Sequence, residues 1–328
     1  MFDDKKILIT GGTGSLGTSL TKKLLETNVN TIRIFSRDEW KQVQMSSSIK
    51  DDRLRFFIGD VRDKERLSRA MENIDIVIHA AALKHVPIAE YNPFEAVKTN
   101  VYGSQNVIDA CLNNNIEIAL AIGTDKAVSP LNTYGATKLL MERLFVSANF
   151  YKGKHRTKFL CVRYGNVLGS RGSVVPSFIN QIKSSKKITI TDPEMTRFNI
   201  VMKQALELIF RALDTGSGGE VFIPKLQAYK VGDLKDVIIE LMNVDVATEN
   251  IPIRPGEKFH EVLINKDEIK NTYQTNDDYI IFDKQMQEFV GVNPPSNPTT
   301  LKDQYSSDLV QLLTKNQLKE IIKKELLI

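Results

Sequence analysis

The sequence has few of the features that would suggest a secreted, metal-binding or membrane-embedded protein. Its 328 residues include 2 cysteines, 4 histidines and 1 tryptophan. Cys111 falls in a helix-like stretch and Cys161 in a strand-like one. This favours buried free thiols over a disulfide or metal pair, and a reducing cytoplasm as the compartment. No window approaches the roughly 18 uninterrupted apolar residues of a membrane span, and the start MFDDKKILIT lacks the apolar region of a signal peptide. We therefore expect a soluble protein with no metal and no membrane partner.

A strong net charge is also missing. The chain has 44 basic and 40 acidic residues, which gives a formal charge of +4. This excess is too diffuse to indicate a nucleic-acid partner, although it suits an anionic small substrate. The contents of 42% hydrophobic and 26% charged residues are typical of a soluble globular enzyme with one large domain or two modest ones.

The first half of the chain alternates apolar strand-like runs with helical patterns. The predicted strands are 6–10, 31–35, 54–58, 75–79, 118–122 and 159–162, and the predicted helices include 19–26, 62–72, 93–113 and 134–151. Strands that alternate with helices indicate βαβ units and a parallel sheet buried on both faces. We expect an α/β fold, a doubly wound parallel Rossmann sheet with a smaller interleaved C-terminal substrate-binding domain.

The rhythm changes after Arg163, where loops such as GSRGSVVP, TDPEMTRF, DTGSGGE and RPGEKFHE separate shorter helices. We assign residues 1–165, with a returning segment at about 199–224, to an NADP-binding Rossmann domain. Residues 166–198 and 225–328 are assigned to the substrate domain. Leucines and isoleucines at helical spacing predict a docking helix over the final stretch, 307–327.

A glycine-rich turn follows the first strand and opens a helix. Glycines lack a Cβ, so the backbone turns sharply and approaches a pyrophosphate, whose charge the helix N-terminus neutralises. In the first βα turn of an alternating fold this is strong support for a dinucleotide site, against a turn that merely packs tightly. The candidate contacts are Gly11, Gly12, Thr13, Gly14, Ser15, Leu16 and Gly17.

The end of the second strand indicates which nicotinamide cofactor is bound. An NAD site usually offers a carboxylate there, whereas an Arg accommodates the 2′-phosphate of NADP. Ser36 and Arg37 precede Asp38, and Lys41 follows, so we predict NADP. Further candidate cofactor contacts are Asp60, which could instead cap a helix, with Val61, Ala80, Ala81, Ala82, Lys84 and Asn100.

Tyr134 and Lys138 are spaced i, i+4, so on a helix they share one face. A nearby ammonium, helped by the nicotinamide charge, is expected to lower the pKa of Tyr134 from about 10 toward neutrality. The tyrosine could then take a proton from a sugar hydroxyl. Thr124, at the end of the fifth strand, would hydrogen-bond the same oxygen.

Together these residues resemble the extended short-chain dehydrogenase/reductase superfamily along nearly the whole chain. A reductase or simple epimerase needs no acid or base beyond the tyrosine, so Asp125-Lys126 is informative. The pair is similar to that of nucleotide-sugar 4,6-dehydratases, and in its Asp-Lys form to the UDP-N-acetylglucosamine enzymes that invert C5. A solvated turn with a surface ion pair is the structural alternative.

The resemblance implies specific roles for this pair. Lys126 would remove the C5 proton once C4 is a ketone, which requires a lowered pKa that burial and nearby positive charge could supply. Asp125, protonated, would donate to the departing C6 hydroxyl. Reprotonation of C5 on the opposite face would then give the inverted centre.

Other segments, including HAAALKHVPIAEYNP, RYGNVLGSRGSVVP, MTRF and RPGEKFHE, are similar to the inverting dehydratases of pseudaminic acid synthesis. Relatives that make L-fucosamine-type precursors share much of this pattern, but several carry Met in place of Tyr134. Two departures are Gly123, where Ser is usual and which could loosen the strand end, and Asn199, where Trp is expected. The implied substrate contacts are Lys84, Lys126, Tyr134, Asn166, Val174, Thr191, Arg197, Arg254 and Glu257, with Arg171 a further anion candidate.

The leading hypothesis is a lyase acting on UDP-N-acetylglucosamine. A nucleotide-sugar 4-epimerase would need Tyr134 and Lys138 but not Lys126. A non-catalytic NADP-binding scaffold would predict a decayed site, whereas here the catalytic side chains are intact. The resemblance also implies a homo-oligomer.

Overall fold

The computed structural model describes residues 1–170, 172–185 and 187–326. The strands are β1 (Lys6–Thr10), β2 (Thr31–Ser36), β3 (Leu54–Ile58), β4 (Ile76–His79), β5 (Ile118–Ile122), β6 (Lys158–Val162), β7 (Lys187–Ile190), β8 (Thr196–Phe198), β9 (Val221–Pro224), β10 (Ala228–Lys230), β11 (Ala247–Asn250), β12 (Val262–Ile264), β13 (Thr272–Gln274), β14 (Asp278–Ile281) and β15 (Tyr305–Ser306).

The helices alternate with these strands through the first half of the chain. They are α1 (Ser15–Leu25), α2 (Glu39–Ser48), α3 (Lys64–Ala70), α4 (Val86–Tyr91), α5 (Pro93–Val97), α6 (Gly103–Asn113), α7 (Thr133–Tyr151), α8 (Val174–Ser185), α9 (Met202–Thr215), α10 (Val231–Met242), α11 (Gln285–Val290) and α12 (Lys315–Leu326). A π-helical turn, Lys98–Tyr102, joins α5 to α6, and a 3-10 turn, Asp125–Ala127, follows β5.

A nine-stranded sheet forms the centre of the molecule, in the order β3-β2-β1-β4-β5-β6-β9-β14-β13. The strands from β3 to β9 are parallel, and β14 and β13 are antiparallel. Helices α3, α6 and α7 pack together, and α1 packs separately with α9. The chain reverses its direction across the sheet between β1 and β4, where α/β proteins bind ligands. The predicted doubly wound α/β fold is confirmed.

The sequence of the central strands explains their position. β1 (KILIT) and β5 (IALAI) are nearly continuous apolar runs, as expected for strands covered on both faces. Polar caps begin the helices that follow: Asp38 accepts from Lys41 N at α2, and Asn132 accepts from Gly135 N at α7. These caps set where each helix leaves the edge of the sheet.

A second apolar cluster forms the core of the smaller C-terminal part. It joins α8, α10 and α12 through Val175, Phe178, Leu234, Ile238 and Leu318. Three two-stranded sheets, β10-β8, β11-β7 and β12-β15, belong to this half of the chain. None of the helices in the described ranges combines the length and apolar character that crossing a bilayer requires.

The structure differs from the predicted domain boundary. Strands β13 and β14 come from the range 225–328 that the sequence assigned to the substrate domain, yet they extend the central sheet. The reason is packing, because Ile280 and Phe282 are buried in the same core as β1 and β5. The returning segment 199–224 also contributes a sheet strand, β9.

The predicted C-terminal helix is wrong over its first part. Helix α12 begins at Lys315 rather than at residue 307, and Leu309 is 57% exposed. Strand β15 pairs with β12 immediately before this stretch, and Thr314 and Gln317 then form a reciprocal capping box. Position 327 lies outside the described residues.

A buried ion cluster connects the central sheet to the C-terminal part. Arg163 follows β6 and is 1% exposed. Its guanidinium donates to Glu142 of α7 (Nε–Oε2, 3.0 Å), to Glu268 (Nη2–Oε1, 2.9 Å) and to the carbonyl of Leu263 (2.8 Å). Loss of the arginine would leave two largely buried carboxylates without their partner.

We therefore predict that Arg163→Met lowers the free energy of unfolding by about 3–5 kcal/mol, because unpaired buried charges are costly. Urea denaturation followed by circular dichroism measures this. The double variant that also carries Glu142→Gln should recover part of the loss. An Arg163→Met protein as stable as the wild type would contradict the assignment.

Candidate active site

A cavity of about 710 Å³ lies at the carboxyl ends of the parallel strands. Most of the predicted cofactor residues line it: Gly11, Thr13, Gly14, Ser15, Leu16, Gly17, Ser36, Arg37, Asp38, Lys41, Asp60, Val61, Ala80, Ala81, Ala82, Lys84 and Lys138. Thr124, Tyr134 and Asn166 also line it, so predicted catalytic and predicted cofactor residues share one space.

The glycine-rich turn is built for a close approach. Gly11 has φ +65°, and a Cβ there would lie 2.9 Å from backbone atoms of Ala81. Within the described part of the chain, no side chain caps the start of α1, and its first turn has no acidic residue. The start of α1 lines the cavity, so its backbone N–H groups and the helix dipole suit a pyrophosphate.

The end of β2 presents positive charge to the same cavity. The carboxylate of Asp38 is engaged by the backbone N–H of Lys41 (3.0 Å) and by its ammonium (2.7 Å), and these hydrogen bonds lower the pKa of Asp38. Arg37 is largely exposed and lies 3.7 Å from Asp60. Asp60 is not the cap of α3; Asp63 is.

Two predicted cofactor residues do not line the cavity. Gly12 packs under the turn, where a Cβ would lie 2.9 Å from the Ile34 side chain. Asn100, 1% exposed in the π-helical turn, accepts from Leu83 N (2.8 Å) and donates to Leu83 O (3.0 Å) and Thr137 Oγ1 (3.0 Å). Asn100 therefore holds the loop after β4 against α7.

Thr124, Asp125 and Lys126 form a hydrogen-bonded group at the end of β5. Thr124 Oγ1 donates to Asp125 Oδ1 (2.9 Å), and Lys126 Nζ lies 3.1 Å from the same oxygen. The Asp125 side chain is 2% exposed and that of Lys126 is 19% exposed. The pair is thus mostly buried, unlike the solvated turn that was the structural alternative.

The predicted lowering of the Lys126 pKa is wrong for this structure. Burial acts to lower the pKa, but the carboxylates of Asp125 and Glu261 outweigh it, and the pKa of Lys126 is raised. Arg197 is a positive neighbour that acts in the opposite direction, toward a lower pKa. Lys126 is therefore held as an ammonium between two carboxylates.

The predicted coupling of Tyr134 to Lys138 also differs. Burial raises the pKa of Tyr134, and the groups that oppose this are Lys126 and Thr124, rather than Lys138. Lys138 is 3% exposed, its Nζ lies 2.8 Å from Met141 Sδ, and burial lowers its pKa to about 8. The i, i+4 spacing placed both residues on the cavity side of α7, but the lysine points along its own helix.

The predicted substrate residues form a polar chain that leads away from Lys126. Lys126 Nζ lies 3.4 Å from Asn166 Oδ1. Arg197 pairs with Glu257 (3.3 Å), whose other oxygen accepts from Thr191 Oγ1 (3.3 Å) and from Arg254 N (3.4 Å). Arg254 is exposed, Val174 is half-buried at the start of α8, and Arg171 lies outside the described residues.

Glu261 is the residue that sequence reasoning missed. It ends the RPGEKFHE segment, is 4% exposed, and lies 3.5 Å from Lys126 Nζ and 3.8 Å from Arg197 Nε. The only signal was its place in a segment whose Arg254 and Glu257 were already selected. A contact between positions 126 and 261 cannot be found from local patterns.

Gly123 and Asn199 are the two positions at which the sequence departs from the pattern of the enzymes that it resembles. Gly123 does not loosen the strand end: its N–H donates to Val162 O at 2.6 Å, and a Cβ would lie 2.6 Å from that oxygen. Asn199 is 7% exposed, and within the described residues its Oδ1 has no hydrogen-bond partner.

Histidine, cysteine and carboxylate side chains nowhere gather in the described ranges into a group that could hold a metal ion.

Known proteins of similar sequence include a nucleotide-sugar dehydratase and a nucleotide-sugar epimerase. Residues 7–283 match the family described as polysaccharide biosynthesis protein. The chain is 50% identical over 283 residues to a UDP-N-acetylglucosamine 4,6-dehydratase (inverting) of Campylobacter jejuni, strain 81-176, covering 86% of this chain and 84% of that protein. It is 40% identical over 285 residues, with the same coverage, to a UDP-glucose 4-epimerase of Rickettsia rickettsii.

A solved structure is similar over almost its whole length. The X-ray structure of Pen from Bacillus thuringiensis superposes with a TM-score of 0.90 and 40% identity, covering 98% of this chain and 99% of that one. By the extent of these matches, and with its cavity at the switch point of a Rossmann sheet, the chain belongs to the polysaccharide biosynthesis protein family.

Proposed function

We propose that the protein is a UDP-N-acetylglucosamine 4,6-dehydratase that inverts C5. Its product would be UDP-2-acetamido-2,6-dideoxy-β-L-arabino-hexos-4-ulose, the first intermediate of a pseudaminic acid-type pathway. The observation that carries the proposal is the buried Asp125–Lys126 pair, 3.1 Å apart, in the same site as Tyr134 and Thr124. An acid and a base on adjacent residues match a reaction that removes a proton and a hydroxyl from adjacent carbons. The 50% identity to an inverting dehydratase supports this assignment.

NADP is the proposed cofactor. Gly11 and the uncapped start of α1 would hold its pyrophosphate, and Ser36, Arg37 and Lys41 its 2′-phosphate. The carboxylate that would otherwise accept a ribose hydroxyl, Asp38, is already engaged by Lys41. A bound nicotinamide cofactor supplies the oxidation at C4 and the later reduction at C6.

Tyr134 and Thr124 are the groups proposed to act on the C4 hydroxyl. Thr124 is a hydrogen-bond partner of the Tyr134 phenol, and its own hydroxyl donates to Asp125. The phenol is therefore oriented toward the end of β5. Since burial raises the pKa of Tyr134 here, positive charge near the phenol is needed before it accepts a proton at neutral pH.

The Asp125–Lys126 ion pair is one proton transfer away from the reactive form. If a proton passes from Nζ to Oδ1, the site holds a neutral amine and a protonated acid. Lys126 then takes the C5 proton while Asp125 gives its proton to the C6 hydroxyl, which leaves as water. This elimination step restores the ammonium and the carboxylate without a proton from solvent. When hydride later returns to C6, C5 takes up a proton on its opposite face, and this proton comes from solvent.

A 4-epimerase is the second candidate, because the Rickettsia relative of comparable coverage carries that name. An epimerase would use the Tyr134 region but would have no need for a buried Asp-Lys pair. A non-catalytic NADP-binding scaffold is the third alternative, and it would not need to keep these charges buried either.

We also propose that the chain assembles as a homo-oligomer in the cytoplasm. Large apolar side chains are exposed on α4, α5 and the π-helical turn: Ile88 (56%), Tyr91 (88%), Phe94 (60%) and Tyr102 (59%). Contact between copies would cover them. The two buried free thiols, Cys111 and Cys161, suit a reducing compartment.

The mass of the product tests the proposed function. Purified protein incubated with NADP and UDP-N-acetylglucosamine should convert it to a species lighter by one water, measured by mass spectrometry. Ring coupling constants in the proton NMR spectrum should report an inverted C5. An unchanged mass with altered stereochemistry would indicate the epimerase, and no conversion would favour the scaffold.

Removal of the Lys126 amine should stop chemistry at C5. In heavy water the wild type should incorporate deuterium at C5, whereas Lys126→Ala should show none, measured by NMR of the product pool. The matched control is Lys258→Ala, which removes a neighbouring half-buried amine that donates to the carbonyl of Val128 and should retain uptake. Persistent uptake in Lys126→Ala would remove this residue from its role.

Arg37 should set cofactor preference. We expect Arg37→Ala to weaken NADP binding by about tenfold or more, because a charge-assisted contact to the 2′-phosphate is lost, while NAD affinity changes little. Fluorescence titration with both cofactors measures this. A wild-type protein that prefers NAD, or a variant that loses both cofactors equally, would contradict the proposal.

A further inference from the structure

Glu261 is a charged group beside Lys126 to which the proposed mechanism gives no role. Its oxygen Oε1 faces Lys126 and Arg197, and its oxygen Oε2 is buried with no hydrogen-bond partner among residues 1–170, 172–185 and 187–326. An unpartnered buried carboxylate oxygen costs free energy, so its presence in the site requires a physical explanation.

The backbone around Glu261 is held firmly. Its N–H donates to Ser307 Oγ (2.9 Å), and its carbonyl accepts from Ser307 N (2.8 Å). Ser307 Oγ lies 2.6 Å from Thr196 Oγ1, which lies 2.7 Å from His260 Nδ1. This buried network fixes the carboxylate over the end of β5, so its distance to Lys126 follows from the fold.

The ammonium of Lys126 has three N–H donors, and three oxygens surround it: Asp125 Oδ1 (3.1 Å), Asn166 Oδ1 (3.4 Å) and Glu261 Oε1 (3.5 Å). When Asp125 takes one proton, the amine keeps two N–H donors and gains a lone pair. Asn166 and Glu261 remain as the two acceptors. The lone pair then lies on the side of the amine that faces Asp125, so the base and the acid are adjacent, as a reaction at two adjacent carbons requires.

We propose that Glu261 is a positioning residue that orients the Lys126 amine and retains the proton shared by Lys126 and Asp125 within the site. This inference rests on the proposed function. The carboxylate favours the ammonium, so the pair keeps the proton that Asp125 must later give to the C6 hydroxyl. Without that charge the proton would be lost to solvent at a lower pH.

Other charges around Lys126 must be considered for any pH effect. Those that face it are Asp125 on its own turn, Tyr134 on α7, Arg197 on β8, Tyr229 on β10 and Lys258 on the loop before β12. Asp125, then Glu261 and Tyr134, raise the pKa of Lys126, and Arg197 lowers it. Replacing Glu261 alone therefore shifts the balance toward the neutral amine.

The kinetic test compares two substitutions. Glu261→Gln keeps an acceptor oxygen but removes the charge, so the alkaline limb of the pH–rate profile should move down by about one pH unit or more, with kcat at the optimum within about threefold. Glu261→Ala also removes the acceptor, so kcat should fall by about tenfold or more at every pH while KM changes little. Glu257 reaches Arg197 but not Lys126. Glu257→Gln should therefore raise KM and leave the alkaline limb of the pH–rate profile in place.

A second measurement needs no turnover. In ligand-free protein, acetic anhydride should label Lys126 about tenfold faster at pH 9 in Glu261→Gln than in the wild type, with peptide mass spectrometry as the readout. Glu257→Gln should label like the wild type. If Glu261→Ala fails to fold, as judged by circular dichroism, Glu261→Gln decides the question.

The possible outcomes separate the two proposals. Identical labelling and identical pH profiles in Glu261→Gln and wild type would overturn the role of Glu261, as would full kcat in a folded Glu261→Ala. Faster labelling without any loss of water from UDP-N-acetylglucosamine would instead overturn the proposed function and leave the coupling of Glu261 to Lys126 in place.

Discussion

The close pairing of two backbone segments beyond the ends of β5 and β6 determines the geometry of the whole site. Gly123 N donates to Val162 O at 2.6 Å, and Asp125 N donates to Tyr164 O at 3.2 Å. The strands therefore stay together after their regular ladder ends. This brings the Thr124–Lys126 turn against Asn166, and a side chain at position 123 would force the two apart. Catalytic groups from two strands meet because the backbone leaves no space between them.

Alternating charge then connects this turn to the smaller C-terminal part. Asp125, Lys126, Glu261, Arg197 and Glu257 follow one another at distances of 3.1, 3.5, 3.8 and 3.3 Å. Each of the three inner ions, Lys126, Glu261 and Arg197, has neighbours of opposite sign on both sides, which offsets the cost of burying it. The substrate contacts near Glu257 and the Lys126 amine are thus joined through Arg197 and Glu261.

The sequence predicted the elements that are local and periodic. All six strands of the first half were placed to within one residue, because buried parallel strands are continuous apolar runs bounded by turns. The glycine turn and the residues after β2 and β4 lie in one cavity, since carboxyl ends of parallel strands share one edge. The π-helical turn at Lys98–Tyr102 was missed because an inserted residue leaves the helical pattern almost unchanged.

The protonation of the site could not be predicted, since it depends on contacts between distant parts of the chain. The sequence interpretation relied on burial and nearby positive charge, which favoured a lowered lysine pKa. In the fold, Asp125 on the same turn and Glu261 from 135 positions away together outweigh burial and reverse the direction. The reversal does not prevent the lysine from acting as a base, because its proton partner is Asp125 and not the solvent. The raised pKa describes loss of the Lys126 proton to solvent, whereas the proposed step moves that proton to Asp125. The two statements are therefore compatible. What the site requires is one proton shared by two adjacent residues, and the surrounding charges keep that proton in place until the sugar takes it.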